Sequence, residues 1–374
     1  MTSPGRARRL LPVLFLWTVV ACGSTPPSPA PSIIEPAPSV TTTSSPSLPA
    51  SPSAGATAST SPSATPQATG IVTADLDGVL VDASLAHRLP LAVSIDDSRA
   101  ARPQAGFNQA SIVYQAPADG YEVRYLLVFQ EGDAATIGPV RSSRNYQAQW
   151  ASEVRAALAH YGGDRITRAW IAAHAGEAIT DVDGLGAGNA AYHRIGSRKA
   201  PHNAYTSSRD LRRVALKRGA DPTFDGSLHV RPFRDDSPPA DRGTAERASI
   251  PYNTVTVGYV YDPTTNAYKR TLDGKAHVDP DDGKQVTART VMILDMTFRT
   301  DSTIERGHAR PVLGFIGSGK GVVLSEGRAT PVTWSKASEQ APTIVMGPDG
   351  QELSLVRGRI FIQAVPVGTK VTIR

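Results

Sequence analysis

The pattern of apolar and polar positions predicts strands alternating with helices from Ile71 to about Phe233. Runs of apolar and β-branched residues predict strands, and apolar positions spaced three and four apart predict helices. Ser207 and Asp210 form the start signal of a helix that we expect to end at Gly219. The remaining helices are predicted over 145–154 and 164–174, and the strands over 91–95, 111–115, 122–129 and 156–160. Alternation of this kind predicts an α/β domain with a mixed sheet over residues 71–234.

The pattern changes after residue 250, where short alternating strands are separated by Gly and Asp turns and no helix is predicted. These strands are predicted over 254–260, 267–272, 289–299, 321–325, 329–334 and 359–365. They indicate a smaller all-β domain over 251–374, and the polar, Pro-rich segment 235–250 is predicted to be a linker. The predicted fold class is therefore α+β, with an N-terminal α/β domain and a β-rich C-terminal domain.

The first 22 residues have the pattern of a secretory signal that ends in the chain's single cysteine. Arg6, Arg8 and Arg9 precede an apolar run over residues 10–20, which is shorter than the roughly 20 residues of a membrane-spanning helix. Because Cys22 comes directly after the small residue Ala21 that follows this run, we expect residues 1–21 to be a lipoprotein signal peptide and Cys22 to carry the lipid, such as palmitate. The alternative is an ordinary signal with an incidental cysteine. A lipid on Cys22 would anchor the protein to the extracytoplasmic face of a bacterial membrane.

The segment that follows the cysteine has the composition of a disordered tether. Pro, Ser and Thr make up most of residues 23–70, which contain one charged residue, Glu35, and no aromatic residue. Such a segment cannot bury enough apolar surface to offset its loss of chain entropy. We therefore predict a lipidated cysteine and an extended tether over 22–70, between the membrane and the folded domains.

Composition excludes several classes of function. The formal net charge is +5, of which three positive charges lie in the leader, so a nucleic-acid partner is not predicted. One cysteine excludes an intrachain disulfide and a Cys-based zinc site, and no cofactor or metal site is predicted. The segment 314–321 resembles a phosphate-binding loop, but Gly321 stands where that motif needs Ser or Thr, so a β-turn is predicted. No catalytic residue is predicted either, because no GxSxG motif is present.

Arginines recur near the strand ends of the N-terminal domain. Arg99 and Arg102 follow the strand that ends at Asp96, Arg124 lies within an apolar strand, and Arg141 and Arg144 precede a helix. Arginine forks bind phosphate and carboxylate groups, which makes an anion-binding cleft one interpretation. Structural salt bridges are the other, with Asp96 or Glu122 as the expected partner of Arg124.

Several motifs resemble successive blocks of the YerB-like lipoprotein family. They are the residues 91–97, 101–106, 110–114, 124–126, 138–144, 198–206, 268–270 and 327–336. The resemblance covers residues 85–370 in order and implies the same two domains. Because the family is of unknown function, it implies no activity and no catalytic residue. Two residues of the block 198–206, His202 and Asn203, complete the candidate set for ligand binding with Arg99, Arg102, Arg124, Arg141, Arg144 and Asp96.

A weaker likeness connects the strand ending at Asp96 and the arginine-rich turn to the LytR–CpsA–Psr phosphotransferases. That resemblance implies that Arg141 and Arg144 contact a polyprenyl pyrophosphate and that Asp96 assists a metal. The chain departs from the pattern at Ser142, which follows Arg141 where an acidic residue is expected.

Three hypotheses about function follow from the sequence. The favoured one is a lipid-anchored binding or scaffold protein whose arginine-rich cleft takes an anionic cell-wall or lipid-phosphate ligand. The second is an envelope phosphotransferase or hydrolase that acts on polyprenyl-pyrophosphate-linked glycan. The third is a module whose β-rich domain recruits another envelope protein.

Overall fold

The fold is taken from a computed structural model that describes residues 70–244, 247–305 and 308–374. The signal segment, Cys22 and the Pro-rich tether lie outside the described residues. The predictions made for them are therefore not addressed by the fold.

The N-terminal domain alternates strands and helices, as its sequence pattern predicts. Its strands are β1 (Ile71–Thr73), β2 (Leu80–Asp82), β3 (Leu91–Asp96), β4 (Ile112–Pro117), β5 (Val123–Phe129), β6 (Ala157–His160), β7 (Thr180–Asp183), β8 (His193–Arg194) and β9 (Ala204–Tyr205). Its α-helices are α1 (Ala83–Ala86), α2 (Asn145–Ser152), α3 (Arg165–His174) and α4 (Ser208–Lys217). The side chains of Asp164 and Ser207 accept hydrogen bonds from the backbone N–H groups of Thr167 and Asp210. These bonds satisfy free N–H groups at the starts of α3 and α4.

The C-terminal domain is built from strands, and the described residues after Lys217 contain no α-helix. The strands are β10 (Phe233–Arg234), β11 (Arg247–Pro251), β12 (Thr256–Asp262), β13 (Ala267–Leu272), β14 (Lys275–Ala276), β15 (Thr287–Ala288), β16 (Thr290–Glu305), β17 (His308–Gly314), β18 (Gly317–Ser325), β19 (Arg328–Lys336), β20 (Ile344–Met346), β21 (Leu355–Val356), β22 (Ile360–Pro366) and β23 (Thr372–Ile373). The prediction of a β-turn over the glycine-rich segment 314–321 is wrong, because Gly314 ends β17, residues 317–321 begin β18, and only Phe315 and a bend at Ile316 separate them. β17 and β18 lie end to end along β16, so the segment is extended rather than turned.

The main sheet is mixed and contains strands of both domains. Its order is β20-β19-β18-β16-β22-β4-β5-β3-β6-β7, and β17 extends it by pairing with β16. The two domains meet where β22 pairs in parallel with β4, with Ile360 opposite Ile112. The predicted α+β class is confirmed. The strand pattern of the sequence, however, gave no indication that the main sheet would be continuous across both domains. A second sheet, in the order β14-β13-β12-β11-β23 with β15 paired to β13, belongs to the C-terminal domain.

Each face of the main sheet is covered by a separate apolar core. On one face, Ile95 and Tyr125 belong to the same core as Leu211 of α4 and Tyr259 of the second sheet. On the other face, Leu126 and its neighbours belong to a core that includes Trp150 of α2 and Ile171 of α3. Side chains alternate between the faces of a strand, so the even-numbered residues of β3 and β5 lie on the face of α2 and α3. Asp96 and Arg124 are among them.

The segment 235–250, predicted to be a linker, differs from that expectation because β11 begins within it at Arg247. Asp235 pairs with Arg357 at 2.8 Å, and Asp236 pairs with Arg289, so the beginning of the segment is attached to the C-terminal domain. Its polar composition reflects these ion pairs and exposed positions.

A buried arginine of β13 joins the two domains. Arg270 is fully buried and donates hydrogen bonds to Gln115 Oε1 at 2.7 Å, to the Tyr125 hydroxyl at 3.1 Å and to the Tyr259 hydroxyl at 3.3 Å. Its Nη1 lies 2.6 Å from His277 Nδ1. Burial lowers the pKa of His277, and the positive charge of Arg270 lowers it further, so His277 is a neutral acceptor for this contact.

Candidate functional site

The candidate site is centred on Asp96, the last residue of β3. Asp96 is 2% exposed, and its Oδ1 accepts a hydrogen bond of 3.1 Å from the backbone N–H of Ser98. Its other oxygen, Oδ2, lies 2.6 Å from His202 Nδ1 and 3.3 Å from Arg141 Nε. One buried carboxylate oxygen therefore contacts two of the predicted site residues.

Arg141 reaches this position because the segment before it pairs with the end of β3. The backbone N–H of Arg141 donates to Ser94 O at 2.9 Å, and the N–H of Asp96 donates to Pro139 O at 3.1 Å. Gly138 permits close packing of this segment, since a Cβ atom there would lie 2.6 Å from Tyr205 Cδ1. Its φ of 151° also falls where side chains are disfavoured. The Arg141 side chain is 29% exposed.

His202 lies in the loop that joins β8 to β9. The N–H of Ile195 donates to Asn203 O at 3.0 Å, which closes the base of this loop. Arg198 holds the loop against the segment after β3 by donating to the carbonyl oxygens of Ala101 and, at 2.9 Å, of Pro103. The His202 side chain is 21% exposed, and its Nδ1 also lies 3.2 Å from Ser98 Oγ.

Arg124 and Arg144 lie close to the same cluster but are engaged by other partners. Arg124 is 8% exposed and donates to Ser142 O at 2.5 Å. Its Nη2 lies 4.0 Å from Asp119 Oδ2. Arg144 precedes α2, and its Nε donates to Asp119 Oδ1 at 3.0 Å while its Nη1 donates to Ser143 O at 2.8 Å. Asp119 therefore holds both arginines.

The three remaining predicted residues, Arg99, Arg102 and Asn203, are not part of the cluster. Arg102 pairs with Asp97 at 2.9 Å. Asn203 Oδ1 accepts a hydrogen bond from Arg194 at 2.5 Å. Arg99 lies on the exposed surface of the short 3₁₀ helix Arg99–Ala101, directly after the site strand. The structure thus brings Asp96, Arg124, Arg141, Arg144 and His202 together and leaves these three at the margin.

The electrostatic environment keeps Asp96 ionised. Burial raises the pKa of Asp96, but the hydrogen bond from Ser98, the charges of Arg124 and Arg141 and the contact with His202 lower it by more, so the net direction is down. Burial lowers the pKa of Arg141, and the neighbouring Arg124 charge acts in the same direction. The Arg141 guanidinium is therefore a positive charge that is partly removed from water and lies near a second positive charge. Binding an anion, in addition to Asp96, would stabilise it.

Sequence reasoning missed three residues that organise the cluster. Asp119 was not among the candidates, nor were Ser98 and Arg198, although Arg198 opens the motif that contains His202. Asp119 lies in a short 3₁₀ segment before β5, and no periodicity marks it. A search for acidic residues flanking the strand that carries Arg124 would have found it.

Within the described ranges, no group of three or more His, Cys, Asp or Glu side chains has an arrangement that could hold a metal ion. No described helix is long and apolar enough to span a membrane.

Two family models match the chain, one for each domain. Residues 76–221 match the N-terminal domain, and residues 248–362 the C-terminal domain, of a protein of unknown function called DUF3048. The chain belongs to the DUF3048 family. The N-terminal DUF3048 match contains every residue of the Asp96 cluster, and the C-terminal match contains Arg270 and His277, whereas Cys22 precedes both.

A curated DUF3048 relative and a solved structure extend this similarity across both domains. The protein named "Putative lipoprotein YerB" of Bacillus subtilis (strain 168) is 28% identical over 313 residues, which cover 80% of this chain and 88% of the relative. The crystal structure of the YerB protein from Bacillus subtilis matches with a TM-score of 0.71 and 25% identity, covering 81% of this chain and 99% of that one. The predicted resemblance to YerB-like proteins is confirmed.

Proposed function

We propose that this protein is a lipoprotein of the bacterial cell envelope that binds an anionic ligand at Arg141 and His202. Lipid on Cys22 holds it at the extracytoplasmic face of the membrane, and residues 22–70 tether the folded part. The signal-like leader that ends in the chain's single cysteine supports the anchoring. The name of the Bacillus relative, a putative lipoprotein, agrees with it.

The observation that carries the binding proposal is the sharing of one Asp96 oxygen by Arg141 and His202. Both side chains are held by a buried carboxylate, and both remain partly exposed. Among the described residues, the Nη atoms of Arg141 have no hydrogen-bond partner, and its buried Nε has none with good geometry. A guanidinium that is held in place but not saturated suits a carboxylate or phosphate group.

The other arginines support the site without being its contacts. Arg124 and Arg144 share Asp119, so their donors are largely used within the protein. Arg124 donates to the carbonyl oxygen of Ser142, the residue next to Arg141, and its positive charge lowers the pKa of Arg141. Arg99, exposed beside the cluster, provides a further positive charge for attracting an anion from solution.

A titration of the full chain with inorganic phosphate tests the binding proposal. Saturable heat in isothermal calorimetry is expected for the wild type and is expected to disappear in Arg141→Met. The matched control is Arg168→Met, which removes a guanidinium from the exposed side of α3, outside the cluster. Equal binding by both variants would contradict the assignment to Arg141.

The anchoring proposal is tested separately by Cys22→Ser in cells. The wild type is expected in the membrane fraction as a processed chain, and the variant is expected to lose both lipid labelling and tight membrane attachment. A variant that remains as tightly bound and as fully processed as the wild type would exclude Cys22 as the anchor.

The second candidate function is an envelope phosphotransferase or hydrolase for polyprenyl-pyrophosphate-linked glycan. The 2.6 Å contact between Asp96 and His202 favours it, because a carboxylate that orients an imidazole is a common arrangement for acid–base chemistry. Incubating the full chain with a polyprenyl-pyrophosphate glycan donor, with and without magnesium, tests this candidate. Release or transfer of glycan by the wild type but not by His202→Asn is the expected result.

A further inference from the structure

His202 has one engaged ring nitrogen and one that is left for a ligand. Nδ1 faces the Asp96 carboxylate at 2.6 Å, whereas Nε2 has no hydrogen-bond partner among the described residues. An ionised carboxylate accepts hydrogen bonds and does not donate them, so Nδ1 carries the hydrogen. In neutral His202 the lone pair is therefore on Nε2.

Ser98 does not use this lone pair. Its hydroxyl lies 3.2 Å from Nδ1, on the same nitrogen that faces Asp96. In a nucleophilic Ser–His–Asp arrangement the serine and the aspartate contact different ring nitrogens. The geometry therefore leaves Nε2 as an open hydrogen-bond acceptor, beside the open donors of Arg141.

His202 Nε2 and Arg141 place a hydrogen-bond acceptor beside a positive charge, and this combination favours a particular ligand chemistry. Arg141 attracts a phosphate or a carboxylate group. Nε2 of neutral His202 cannot donate to an anionic oxygen, but it accepts a hydrogen bond from a hydroxyl group. Arg141 Nε and His202 Nδ1 contact the same Asp96 oxygen, at 3.3 Å and 2.6 Å, so the two side chains lie beside each other.

We infer that the ligand carries a hydroxyl group next to its anion, as in a sugar phosphate or a sugar acid. Arg141 binds the anionic group, and His202 Nε2 accepts the hydrogen bond of the neighbouring hydroxyl. Asp96 is the positioning residue, since it contacts both side chains and is itself buried. This inference rests on the proposed anion site and narrows its ligand to a class.

The test compares pairs of ligands that carry the same kind of anionic group, where only one member of each pair also carries hydroxyl groups. Glucose 1-phosphate is titrated against methyl phosphate, and glucuronate against acetate, using the full chain at a pH where imidazole is neutral. One hydrogen bond of about 1.4 kcal/mol corresponds to roughly tenfold tighter binding. We expect a preference of that size for the hydroxyl-bearing member of at least one pair, and the pair that shows it distinguishes a phosphate from a carboxylate ligand.

Two substitutions of His202 distinguish the roles of its two ring nitrogens. In His202→Gln the longer amide places an oxygen acceptor near the position of Nε2, whereas in His202→Asn the shorter amide replaces Nδ1 as the donor to Asp96 and leaves the Nε2 position empty. The preference for the hydroxyl-bearing ligand is expected to survive in the Gln variant and to vanish in the Asn variant. Thermal unfolding of both variants checks that they are folded.

The outcomes distinguish this inference from the function on which it rests. If the wild type binds none of the four ligands, the anion site itself is wrong. If it binds methyl phosphate or acetate as tightly as the hydroxyl-bearing partner, or if His202→Asn keeps the preference, only the hydroxyl inference fails.

Discussion

Asp96 and Arg124 lie directly opposite each other on neighbouring strands, yet they belong to two different sets of contacts. The register of β3 and β5 pairs their Cα atoms. The Asp96 carboxylate contacts His202 and Arg141, whereas Arg124 donates to Ser142 O and approaches Asp119. Arg124 consequently supplies charge behind the site, and Arg141 supplies the exposed donors.

The two arginines are therefore expected to differ in their contribution to stability. Arg124→Met removes the shortest hydrogen bond to Ser142 O and leaves the longer ones from Ser94 Oγ at 3.3 Å and Arg144 Nη1 at 3.4 Å. Loss of this charged hydrogen bond costs about 1.5–3 kcal/mol of unfolding free energy. Arg141→Met removes a partly exposed contact and is expected to cost less than about 1 kcal/mol. Urea denaturation of the two variants measures both values. Equal losses would contradict the division between a structural and an exposed arginine.

The segment that carries Arg141 depends on a glycine. Gly138→Ala places a methyl group against Tyr205 at a φ of 151°, so we expect a loss of roughly 1–3 kcal/mol and weaker phosphate binding. Gly196→Ala is the control, because a Cβ there meets no atom within 4 Å. Thermal unfolding and calorimetry compare the pair. Normal stability and binding in Gly138→Ala would show that the close packing is not required.

The buried arginine between the domains is expected to matter more than any surface charge. Arg270→Met leaves Gln115 and the hydroxyls of Tyr125 and Tyr259 without their charged donor. Because each unsatisfied buried polar group costs about 1–3 kcal/mol, we expect a loss of at least about 3 kcal/mol. Lys275→Met, on the exposed strand β14, should change stability by less than about 0.5 kcal/mol. The measurement is the midpoint of urea unfolding, and similar midpoints for the two variants would exclude this role.

Glu326 makes stability depend on pH in the acid range. Burial raises the pKa of Glu326, but hydrogen bonds from Arg234 and Ser237 lower it to about 2, below its ordinary value of 4.5. A carboxyl whose pKa is lower in the folded state stabilises the fold above pH 4.5 and loses that contribution as the pH falls toward 2.

The corresponding variant is Glu326→Gln, which cannot titrate. The unfolding free energy of the wild type should exceed that of Glu326→Gln by about 1–3 kcal/mol at pH 7. This difference should shrink between pH 4.5 and pH 2. Denaturant unfolding at several pH values checks this. A difference that stays constant with pH would contradict the lowered pKa.

The elements with strong local signals could be predicted from the sequence. The apolar run around Arg124 predicted β5, and Ser207 predicted the start of α4, because strand periodicity and helix capping depend on residues close in the chain. The pairing of β22 with β4 had no such signal, since it joins residues about 250 positions apart. The strand pattern could therefore indicate two domains without indicating their shared sheet.

The residue types of the site could be predicted from the sequence, but the contacts that each of these residues makes could not. Arg124, Arg141 and Arg144 were expected near one another, and they are. Burial lowers the pKa of Arg124, and the charges of Asp96 and Glu122, its expected partners, do raise it, but the ion-pair distance of 4.0 Å is to Asp119, which was not expected. Asn203 binds Arg194. Such choices depend on how loops fold over the strand ends, which no local spacing determines.

The central claim is that Arg141 and His202, held by one oxygen of Asp96, form an open anion site. Its most direct test is calorimetric titration of the wild-type full chain and of Asp96→Asn with methyl phosphate. The wild type is expected to bind with a defined stoichiometry of one, and the variant, which weakens the hold on both side chains, at least about tenfold more weakly. No binding by the wild type, or unchanged binding in a correctly folded Asp96→Asn, would contradict the claim.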